Sequence, residues 1–463
     1  MAKVVRRKFF IVSFLLFSIL LLFLQHSRQV KVIERTFILE NGSQNSSQIR
    51  DACFVPYWNQ KTTENILHSE QIEEWAKTEF GGNLNMIDGE PRLLSAFVYP
   101  DEISIITTVM HTFLKRATCH YYDCNRVEIH AARFKSRVWP LAVITCPRRF
   151  GAEYVSVSYE EDEEPQEPIP LTYRAYDRPL HELSVCVGPM YGEESKWLEI
   201  IEYVEHYRLV GTSHFYFTLF NMNEYDRKII DNYESLGIAE STKYTTEYLR
   251  LGWMFHLLQT HECHYRSKFH SKWVVNMDID ERLVYTGPLN LRSYLRRLPP
   301  NIGEVSFTTN RVLKTEPVPV KYSSDAQLME DMLFLKYNKT TEISWYNLKG
   351  IIRPEKVAML FYHWSYFQFE GVNVVSVPKR FGHVRHYRNM DKKALNGNWM
   401  ENYNGTLQET RLSRSFEKRL ISAVRRRVKY VYDQRMVRCE EIPEWLSSRF
   451  RRQLLDCKFK NEI

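Results

Sequence analysis

The stretch WVVNMDIDERLV, from Trp273 to Val284, decides how the central part of the chain folds. Four of its first five residues are apolar, which is typical of a buried β-strand. Three carboxylates, Asp278, Asp280 and Glu281, then follow within four positions, although like charges repel one another. These three acidic residues either lie at a solvated strand end without a role or form a site that uses their negative charge.

The residues before this stretch alternate between strand and helix patterns. Strands are predicted by LSVCVGPMY (183–191), HFYFTLF (214–220) and IAESTKY (238–244). Helices are predicted by EESKWLEIIEYVEHYRLVG (193–211), NEYDRKIIDNYESLG (223–237) and LGWMFHLLQTHECHYRSKF (251–269). Asn223 suits a helix N-cap, and Gly211 and Gly237 suit helix ends. This alternation predicts a parallel α/β sheet, in which ligands bind at the carboxyl ends of the strands, where Asp278 and Asp280 lie.

Asp278 and Asp280 form an Asp-x-Asp motif with three interpretations. The first is a solvated strand end without a ligand. The second is a phosphatase of the haloacid dehalogenase type, but Arg282 stands where that family has Thr or Val. The third is a divalent cation, Mn²⁺ or Mg²⁺, held between these carboxylates and a nucleotide-sugar diphosphate.

The start of the chain favours the third interpretation. Basic residues within 1–8 precede an uncharged, mainly apolar run over 9–24. A cleaved signal peptide is an alternative, but no small-x-small cleavage site follows the run. An uncleaved signal anchor fits better, with the basic residues in the cytosol and the rest of the chain in the lumen. We therefore expect a single-pass type II protein of the Golgi membrane.

Sequons and cysteines agree with a lumenal location. Four Asn-x-Ser/Thr sequons predict glycosylation at Asn41, Asn45, Asn338 and Asn404. The eight cysteines form an even set, which favours disulfides in an oxidising compartment. Cys119 with Cys124 and Cys439 with Cys457 suit local bridges, although the sequence does not determine the pairing.

Composition and charge indicate an ordinary globular protein. Hydrophobic residues make up 44% of the 463 residues, and the net charge of +7 is mild for this length. Near the end of the chain, Leu412, Phe416, Leu420, Val424 and Val428 recur at helical spacing beside a basic face. We interpret this as a solvated helix face and expect no nucleic-acid partner.

Four segments in order resemble glycosyltransferase family 92, the former domain of unknown function 23. They are CVGPMYGEESKWLEIIEYVEHYRLVGTSHFYFTLFNMNEYDRKIIDNYESLG (186–237), ECHYRSKFHSKWVVNMDIDERL (262–283), RPEKV (353–357) and VRHYRN (384–389). The resemblance covers about 183–389. It implies a GT-A fold and transfer of galactose from UDP-galactose, with inversion, to form a β-1,4 linkage. The implied acceptor is a terminal galactose or fucose on an N-glycan or glycolipid.

The resemblance also implies roles for single residues. Asp278 and Asp280 match the metal-binding Asp-x-Asp, and Asp278 would also contact the ribose. His386 matches the later family histidine of the metal site. His363 and His383 are the alternative histidines for this role. Pro189 and Tyr191 lie near the sheet edge and are candidates for binding the uracil of the donor. Arg266 and Lys272 lie before the start of the next strand and are candidates for binding the diphosphate.

Inversion requires a general base that deprotonates the acceptor hydroxyl. Among the carboxylates after the metal motif we favour Glu330 or Asp331, over Glu316 and Asp325. Sugar-stacking aromatics could include Trp345, Trp364 and Tyr366, although core packing explains each of them better. The alternatives are a non-catalytic lumenal glycan-binding protein on a transferase fold and a transferase that uses another UDP-sugar. Homodimerisation stays open.

The predicted organisation of the chain has seven parts. They are a cytoplasmic tail (1–8), a transmembrane signal anchor (9–24), a stem (25–90), a small β-rich region (91–159), an acidic, Pro-rich linker (160–180), an α/β domain of the GT-A type (181–440) and a C-terminal tail (441–463). The fold class is thus α/β, with a Rossmann-like transferase domain after a β-rich region.

Overall fold

A computed structural model describes most of the chain from Cys53 to Asp433. The described ranges are 53–66, 69–80, 91–108, 115–139, 143–160, 162–192, 194–220, 222–244, 253–343, 345–389 and 403–433. The predicted anchor, the sequons Asn41 and Asn45, and the cysteines Cys439 and Cys457 lie outside these ranges. In the described ranges, no helix combines the length and the apolar character that crossing a membrane requires.

The first part of the described chain is a closed barrel of seven strands. Its strands are β1 (Leu93–Val98), β2 (Glu102–Thr107), β3 (Arg116–Tyr122), β4 (Phe134–Trp139), β5 (Val143–Pro147), β6 (Tyr154–Ser158) and β7 (Ile169–Tyr173). Their order around the barrel is β1-β2-β5-β4-β3-β6-β7, and β7 closes it by pairing in parallel with β1. Apolar side chains of alternate positions, such as Ile105, Val138 and Val155, fill the interior. The β-rich region is thus confirmed as a structural unit.

The predicted linker is wrong for Ile169–Tyr173, because these residues form β7. Leu171 pairs with Ala96 of β1, and Ile169 pairs with Val155 of β6. Acidic and Pro-rich residues precede the short strand-forming run Ile169–Tyr173, so the sequence alone predicts that this run belongs to the linker. Closing the barrel satisfies the backbone groups at two sheet edges, which no local pattern reveals.

Three disulfides are described, Cys53–Cys124, Cys119–Cys146 and Cys186–Cys263. The predicted bridge between Cys119 and Cys124 is therefore wrong. Cys119 is buried within the extended strand β3, and Cys124 follows the end of that strand. Five residues of largely extended chain separate their Cα atoms by more than the reach of a disulfide.

The second part is a mixed sheet with helices on both faces. Its strands are β8 (His181–Val187), β9 (His214–Leu219), β10 (Ala239–Lys243), β11 (Ser271–Met277), β12 (Glu281–Tyr285), β13 (Ile302–Lys314), β14 (Lys339–Thr340), β15 (Trp345–Ile352), β18 (Asn373–Ser376), β19 (Gly382–Asn389) and β20 (Gln408–Glu409), while β16 (Val357–Phe361) and β17 (Trp364–Gln368) form a separate hairpin. The order β10-β9-β8-β11 is parallel throughout. The predicted parallel α/β sheet is confirmed for these four strands.

The helices are α1 (Ser69–Phe80), α2 (Trp197–Val210), α3 (Glu224–Ser235), α4 (Trp253–Ser267), α5 (Leu291–Arg297), α6 (Asp325–Asp331), α7 (Leu333–Lys336) and α8 (Arg414–Tyr432). Helix α2 ends at Gly211, whose φ of 116° lies in the left-handed region that glycine adopts without strain. The Asn223 side chain accepts a hydrogen bond from the backbone N–H of Asp226 and caps α3. The predicted cap and helix end are confirmed.

The helices cover the sheet on both faces. Helix α8 buries Leu420, Val424 and Val428, as predicted, and runs antiparallel to α2. Phe416, near its start, contacts His206, and Tyr432, at its end, contacts Trp197. Helix α4 covers the other face, where its Cys263 packs on β8, β9 and β11, and it also packs against the barrel, where Leu257, Leu258 and Tyr265 form one apolar cluster with residues of β1 and β2.

Candidate functional site

The Asp-x-Asp motif forms the turn between β11 and β12. The backbone N–H of Glu281 donates to the carbonyl oxygen of Asp278 at 3.0 Å, which closes the turn and projects Asp278 and Asp280 from the sheet edge. Because β11 belongs to the parallel part of the sheet, both carboxylates lie at the carboxyl end of the strands, as the sequence predicts.

The absence of a side chain at Gly188 leaves room for the Asp278 carboxylate. Gly188 follows β8, the strand next to β11, and its backbone N–H donates to Met277. A Cβ atom at this position would lie 2.4 Å from Asp278 Oδ1 and 2.9 Å from its Cα. Any larger residue would displace the carboxylate, because real Cβ contacts are not that short.

Asp278 lies between two histidines. Its Oδ1 is 3.0 Å from His256 Nε2, and its Oδ2 is 3.4 Å from His363 Nε2. Burial opposes the charged ring of His256, but the Asp278 carboxylate outweighs it and raises the pKa of His256. Burial, together with Lys349, holds the pKa of His363 well below its usual value. Asp278 thus favours the charged form of His256, burial favours the neutral form of His363, and the Lys349 ammonium lies 4.0 Å from Asp278 Oδ2.

Asp280 faces a different histidine. Its Oδ2 is 3.2 Å from His386 Nε2, and the other ring nitrogen, Nδ1, lies 3.4 Å from Glu281 Oε1. Burial opposes the ionisation of Asp280, and the neighbouring His386 nevertheless lowers the pKa of this carboxyl to about 2. Asp280 thus stays ionised and presents an anionic oxygen next to an imidazole nitrogen.

Asp280 and His386 fit a divalent cation. Two neighbouring ligands of an octahedral ion with bonds of about 2.1 Å lie about 3.0 Å apart, close to the distance between Asp280 Oδ2 and His386 Nε2. One carboxylate and one imidazole suit Mn²⁺. Asp280, Glu281 and His386 form one group with ligand atoms close enough for a metal, and His256, Asp278 and His363 form a second.

Both carboxylates line a cavity of about 400 Å³. Its wall consists of Gly188, Pro189, Tyr191, Glu194, Lys196, Glu199, His256, Asp278, Ile279, Asp280, Lys314, Pro317, Tyr387, Arg388 and Asn389. Lys196, Lys314 and Arg388 add three basic side chains to the wall that the acidic turn also lines. The Lys314 ammonium also forms an ion pair with the Glu199 carboxylate, which raises the pKa of Lys314 against the effect of burial.

Several residues predicted from the sequence lie together in this cavity. Pro189 and Tyr191 follow β8 and share the wall with Asp278 and Asp280. The Tyr191 ring is 38% exposed and meets Phe255 edge-on, with the ring centroids 5.9 Å apart. His386 reaches Asp280 from β19.

Other predicted residues lie elsewhere. The buried guanidinium of Arg266 pairs with Glu262 within α4 and donates to Phe217 O and Thr218 Oγ1 at 3.2 Å, so direct contact with a ligand of this cavity is not expected. Lys272 lies 3.8 Å from Glu182, away from the cavity wall. Glu330 is exposed on α6, and Asp331 of that helix accepts a hydrogen bond from Gln327. Neither lines the cavity, and their role as general base stays a prediction.

The remaining candidates also lie outside the cavity. His383 is on β19 opposite Val284, and burial lowers its pKa to about 4. Tyr366, on β17, packs edge-on against Trp75, and the side chain of Trp345 is not described. The sequons Asn338 and Asn404 are half-buried and exposed, respectively.

Sequence reasoning missed His256, Glu281 and Lys349. His256 lies on α4 and Lys349 on β15, and each belongs to a strand or helix distant in sequence from the motif. Glu281 is visible beside the motif, but its contacts arise only when β12 pairs with β19. Of these three residues, only Glu281 could have been recognised from the sequence, because it is the third acidic residue of the stretch from Trp273 to Val284.

Comparison with known proteins agrees with the position of the site. No curated protein matches the chain significantly. Residues 181–428, more than half of the chain, match the sequence profile described as glycosyltransferase family 92. The matched range contains every described residue of the cavity wall and excludes the barrel. The chain therefore belongs to glycosyltransferase family 92 and carries a glycosyltransferase domain of mixed α/β structure.

Proposed function

We propose that the protein is a metal-dependent, inverting galactosyltransferase of the GT-A type. It transfers galactose from UDP-galactose to a terminal galactose or fucose of a glycan and forms a β-1,4 linkage. It works as a type II protein of the Golgi membrane. The observation that carries the proposal is the Asp280–His386 pair on the wall of a cavity that also holds Asp278 and three cations.

The charges of the cavity fit a nucleotide diphosphate. Arginine and lysine are the side chains that bind phosphate oxygens in proteins. Lys196, Lys314 and Arg388 would hold the diphosphate, and Asp278 would accept hydrogen bonds from ribose hydroxyls. The partly exposed ring of Tyr191 supports stacking on the uracil.

Asp280 and His386 would hold Mn²⁺ or Mg²⁺. When bound, such a cation neutralises the negative charge that develops on the departing diphosphate. Lys314 and Arg388 would add positive charge to the same cavity. His256 and His363 lie next to the two oxygens of Asp278 and would orient that carboxylate.

The reaction itself is a single displacement. The acceptor oxygen bonds to the anomeric carbon of galactose, the bond from that carbon to the diphosphate oxygen breaks, and UDP leaves with the electron pair. The proton of the acceptor hydroxyl passes to a carboxylate base. Of the described residues on the cavity wall, Glu194 and Glu199 are the carboxylates outside the Asp-x-Asp turn, and we favour Glu199 as the base over Glu330 and Asp331.

Turnover by the purified full-length chain tests the proposal. A panel of UDP-sugars is offered with and without Mn²⁺, against glycans that end in galactose or fucose. We expect Mn²⁺-dependent consumption of UDP-galactose and a new β-1,4 linkage in the product. The matched control carries Asp278→Asn and Asp280→Asn, which change charge but hardly any volume. Preference for another UDP-sugar would correct the donor, and binding of glycans without turnover of any donor would overturn the transferase assignment.

A further inference from the structure

The Glu281 side chain connects three parts of the site from behind. It is fully buried. Its Oε2 accepts a hydrogen bond from the backbone N–H of Asp278 at 3.1 Å. Its Oε1 lies 2.6 Å from Lys349 Nζ and 3.4 Å from His386 Nδ1. Glu281 is not part of the cavity wall, so it acts on a ligand only through these neighbours.

The pairing of two strands builds the contact between Glu281 and His386. The two residues are direct partners in the antiparallel pair β12–β19, so their side chains lie on the same face of the sheet. Lys349 approaches Glu281 from β15, which pairs with β11 and β13. The arrangement is therefore fixed by the sheet and not by a mobile loop.

Without a cation, His386 Nε2 shares a hydrogen bond of 3.2 Å with Asp280 Oδ2, while Nδ1 lies 3.4 Å from Glu281 Oε1, so a cation at Asp280 would move the ring hydrogen to the Glu281 side. A neutral imidazole carries a hydrogen on one ring nitrogen and a lone pair on the other. When Nδ1–H donates to Glu281, Nε2 directs its lone pair at Asp280 Oδ2, 3.2 Å away. A lone pair and an anionic oxygen repel each other unless a cation lies between them.

A ligand role for Glu281 itself is the competing interpretation. Both of its oxygens already have partners, and the carboxylate lies behind His386 without exposed surface. In characterised metal sites, a carboxylate in this position orients the histidine by accepting the hydrogen of its other nitrogen.

We propose that Glu281 is a positioning residue that holds His386 in the tautomer with Nε2 free, so that His386 and Asp280 bind one divalent cation together. Lys349 keeps the Glu281 carboxylate in place and balances its charge. This inference rests on the metal-dependent function proposed above, and it assigns to Glu281 a role in metal affinity that is separate from the chemistry of transfer.

Mn²⁺ binding provides a readout that does not depend on turnover. The purified full-length chain is titrated with Mn²⁺, with and without UDP, and free Mn²⁺ is measured from its electron paramagnetic resonance signal. Glu281→Gln removes the charge that orients Nδ1–H, and we expect Mn²⁺ affinity to fall about 10- to 100-fold. Glu262→Gln is the matched control, because Glu262 is equally buried and paired with Arg266, but lies outside the site. It should leave Mn²⁺ affinity unchanged.

A double variant separates positioning from general damage. If Glu281 acts through His386, then Glu281→Gln should weaken Mn²⁺ binding in the native background and add little to His386→Ala. Circular dichroism verifies the fold of each variant. If Glu281→Gln fails to fold, Glu281→Asp keeps the charge but withdraws the oxygen from Nδ1, and we expect it to weaken Mn²⁺ binding as well.

Each alternative result has a distinct meaning. Native affinity in the folded Glu281 variants, with loss in His386→Ala, would overturn the positioning role and leave the proposed function intact. Equal losses in Glu281→Gln and Glu262→Gln would also overturn it, as a sign of general destabilisation. Failure of the native protein to bind Mn²⁺ even with UDP would overturn both this inference and the metal dependence of the proposed function.

Discussion

The two ends of the parallel sheet both gather histidines, but they do so in different chemical settings. At the carboxyl end, His256, His363 and His386 each lie within 3.4 Å of a carboxylate oxygen. At the amino end, His181 and His214 open β8 and β9, and His270 directly precedes β11. Among the described residues, the carboxyl end contains two groups of three residues whose ligand atoms come close enough for a metal, and the amino end contains one. Proximity of ligand atoms alone therefore does not distinguish a site from a packed cluster.

The orientation of the rings at the amino end argues against a shared ion. The rings of His181 and His214 stack with centroids 4.3 Å apart and planes 13° apart. A metal lies in the plane of the imidazole that binds it, and two stacked planes do not meet between the rings. His270 also shares a hydrogen bond of 2.7 Å between its Nδ1 and the hydroxyl of Tyr216. The difference between the ends is that one offers carboxylate oxygens on the wall of an open cavity, while the other packs its imidazole rings against each other, with the Glu240 carboxylate 3.9 Å from His214.

The largest expected effect comes from breaking the carboxyl end. Asp280→Asn keeps the size of the side chain and removes the charge next to His386. Because metal assistance contributes several kcal/mol to such reactions, we expect kcat/KM to fall about 1,000-fold. Steady-state rates with UDP-galactose and Mn²⁺ measure the effect. His181→Asn, at the amino end, is the control and should leave kcat/KM near the native value. Comparable losses in both variants would remove the distinction between the two ends.

A smaller loss is expected from Gly188→Ala. The added methyl group would lie 2.4 Å from Asp278 Oδ1 and push the carboxylate from its two histidines. We expect a loss in kcat/KM of about 10- to 100-fold, which corresponds to the 1–3 kcal/mol typical of such overpacking. Gly237→Ala is a suitable control, since its Cβ would meet nothing within 4 Å. That variant should lose stability because Gly237 has a φ of 68°, but it should retain activity. A fully active Gly188→Ala enzyme would show that the position of Asp278 is not critical.

The amino end predicts a dependence of stability on pH. Burial, together with His214, lowers the pKa of His181 to about 4, and burial, together with Arg174, lowers that of His270 to about 3. Since the folded pKa values lie below the usual 6.5, these rings stabilise the fold above pH 6.5, and this contribution is lost as the pH falls toward 4.

Replacing the titrating ring with a phenyl ring isolates that contribution. His181→Phe keeps a ring for the stack but removes its proton site. The shift would correspond to about 3 kcal/mol for a fully buried group, and partial exposure reduces it to about 1–2 kcal/mol. The free energy of unfolding in urea is measured at pH 7 and pH 4.5 for the native protein and the variant. Its decrease between the two pH values should be smaller in His181→Phe by that amount. The exposed Val320, which has no proton site, gives the control Val320→Ala, for which no change in the pH dependence is expected. An unchanged pH dependence in His181→Phe would mean that His181 is not neutral in the fold.

At the carboxyl end of the sheet, some site residues can be predicted from the sequence and others cannot. Asp278 and Asp280 were predictable, because a buried strand, its end and its place in a parallel sheet are encoded within a few consecutive residues. The partners His256 and Lys349 were not, because they come from α4 and β15 and meet the motif only in the folded sheet. The barrel strand β7 and the pairing of Cys53 with Cys124 depend on contacts distant in sequence in the same way. The resemblance in VRHYRN pointed to His386, but its contact with Glu281 follows from the register of β12 and β19.

The smallest expected effect concerns the carboxylates that the sequence favoured as the base. Glu330 and Asp331 lie on α6 away from the cavity wall, whereas Glu199 lies on that wall beside Lys314. Because neither carboxylate lines the cavity, Glu330→Gln and Asp331→Asn should change kcat/KM by roughly twofold or less. Glu199→Gln should lower kcat about 100-fold or more if this residue takes the acceptor proton. A large loss of kcat in Glu330→Gln or Asp331→Asn, with unchanged KM for UDP-galactose, would instead place α6 at the acceptor. The carboxyl end of the sheet would then provide the donor and metal contacts but not the base.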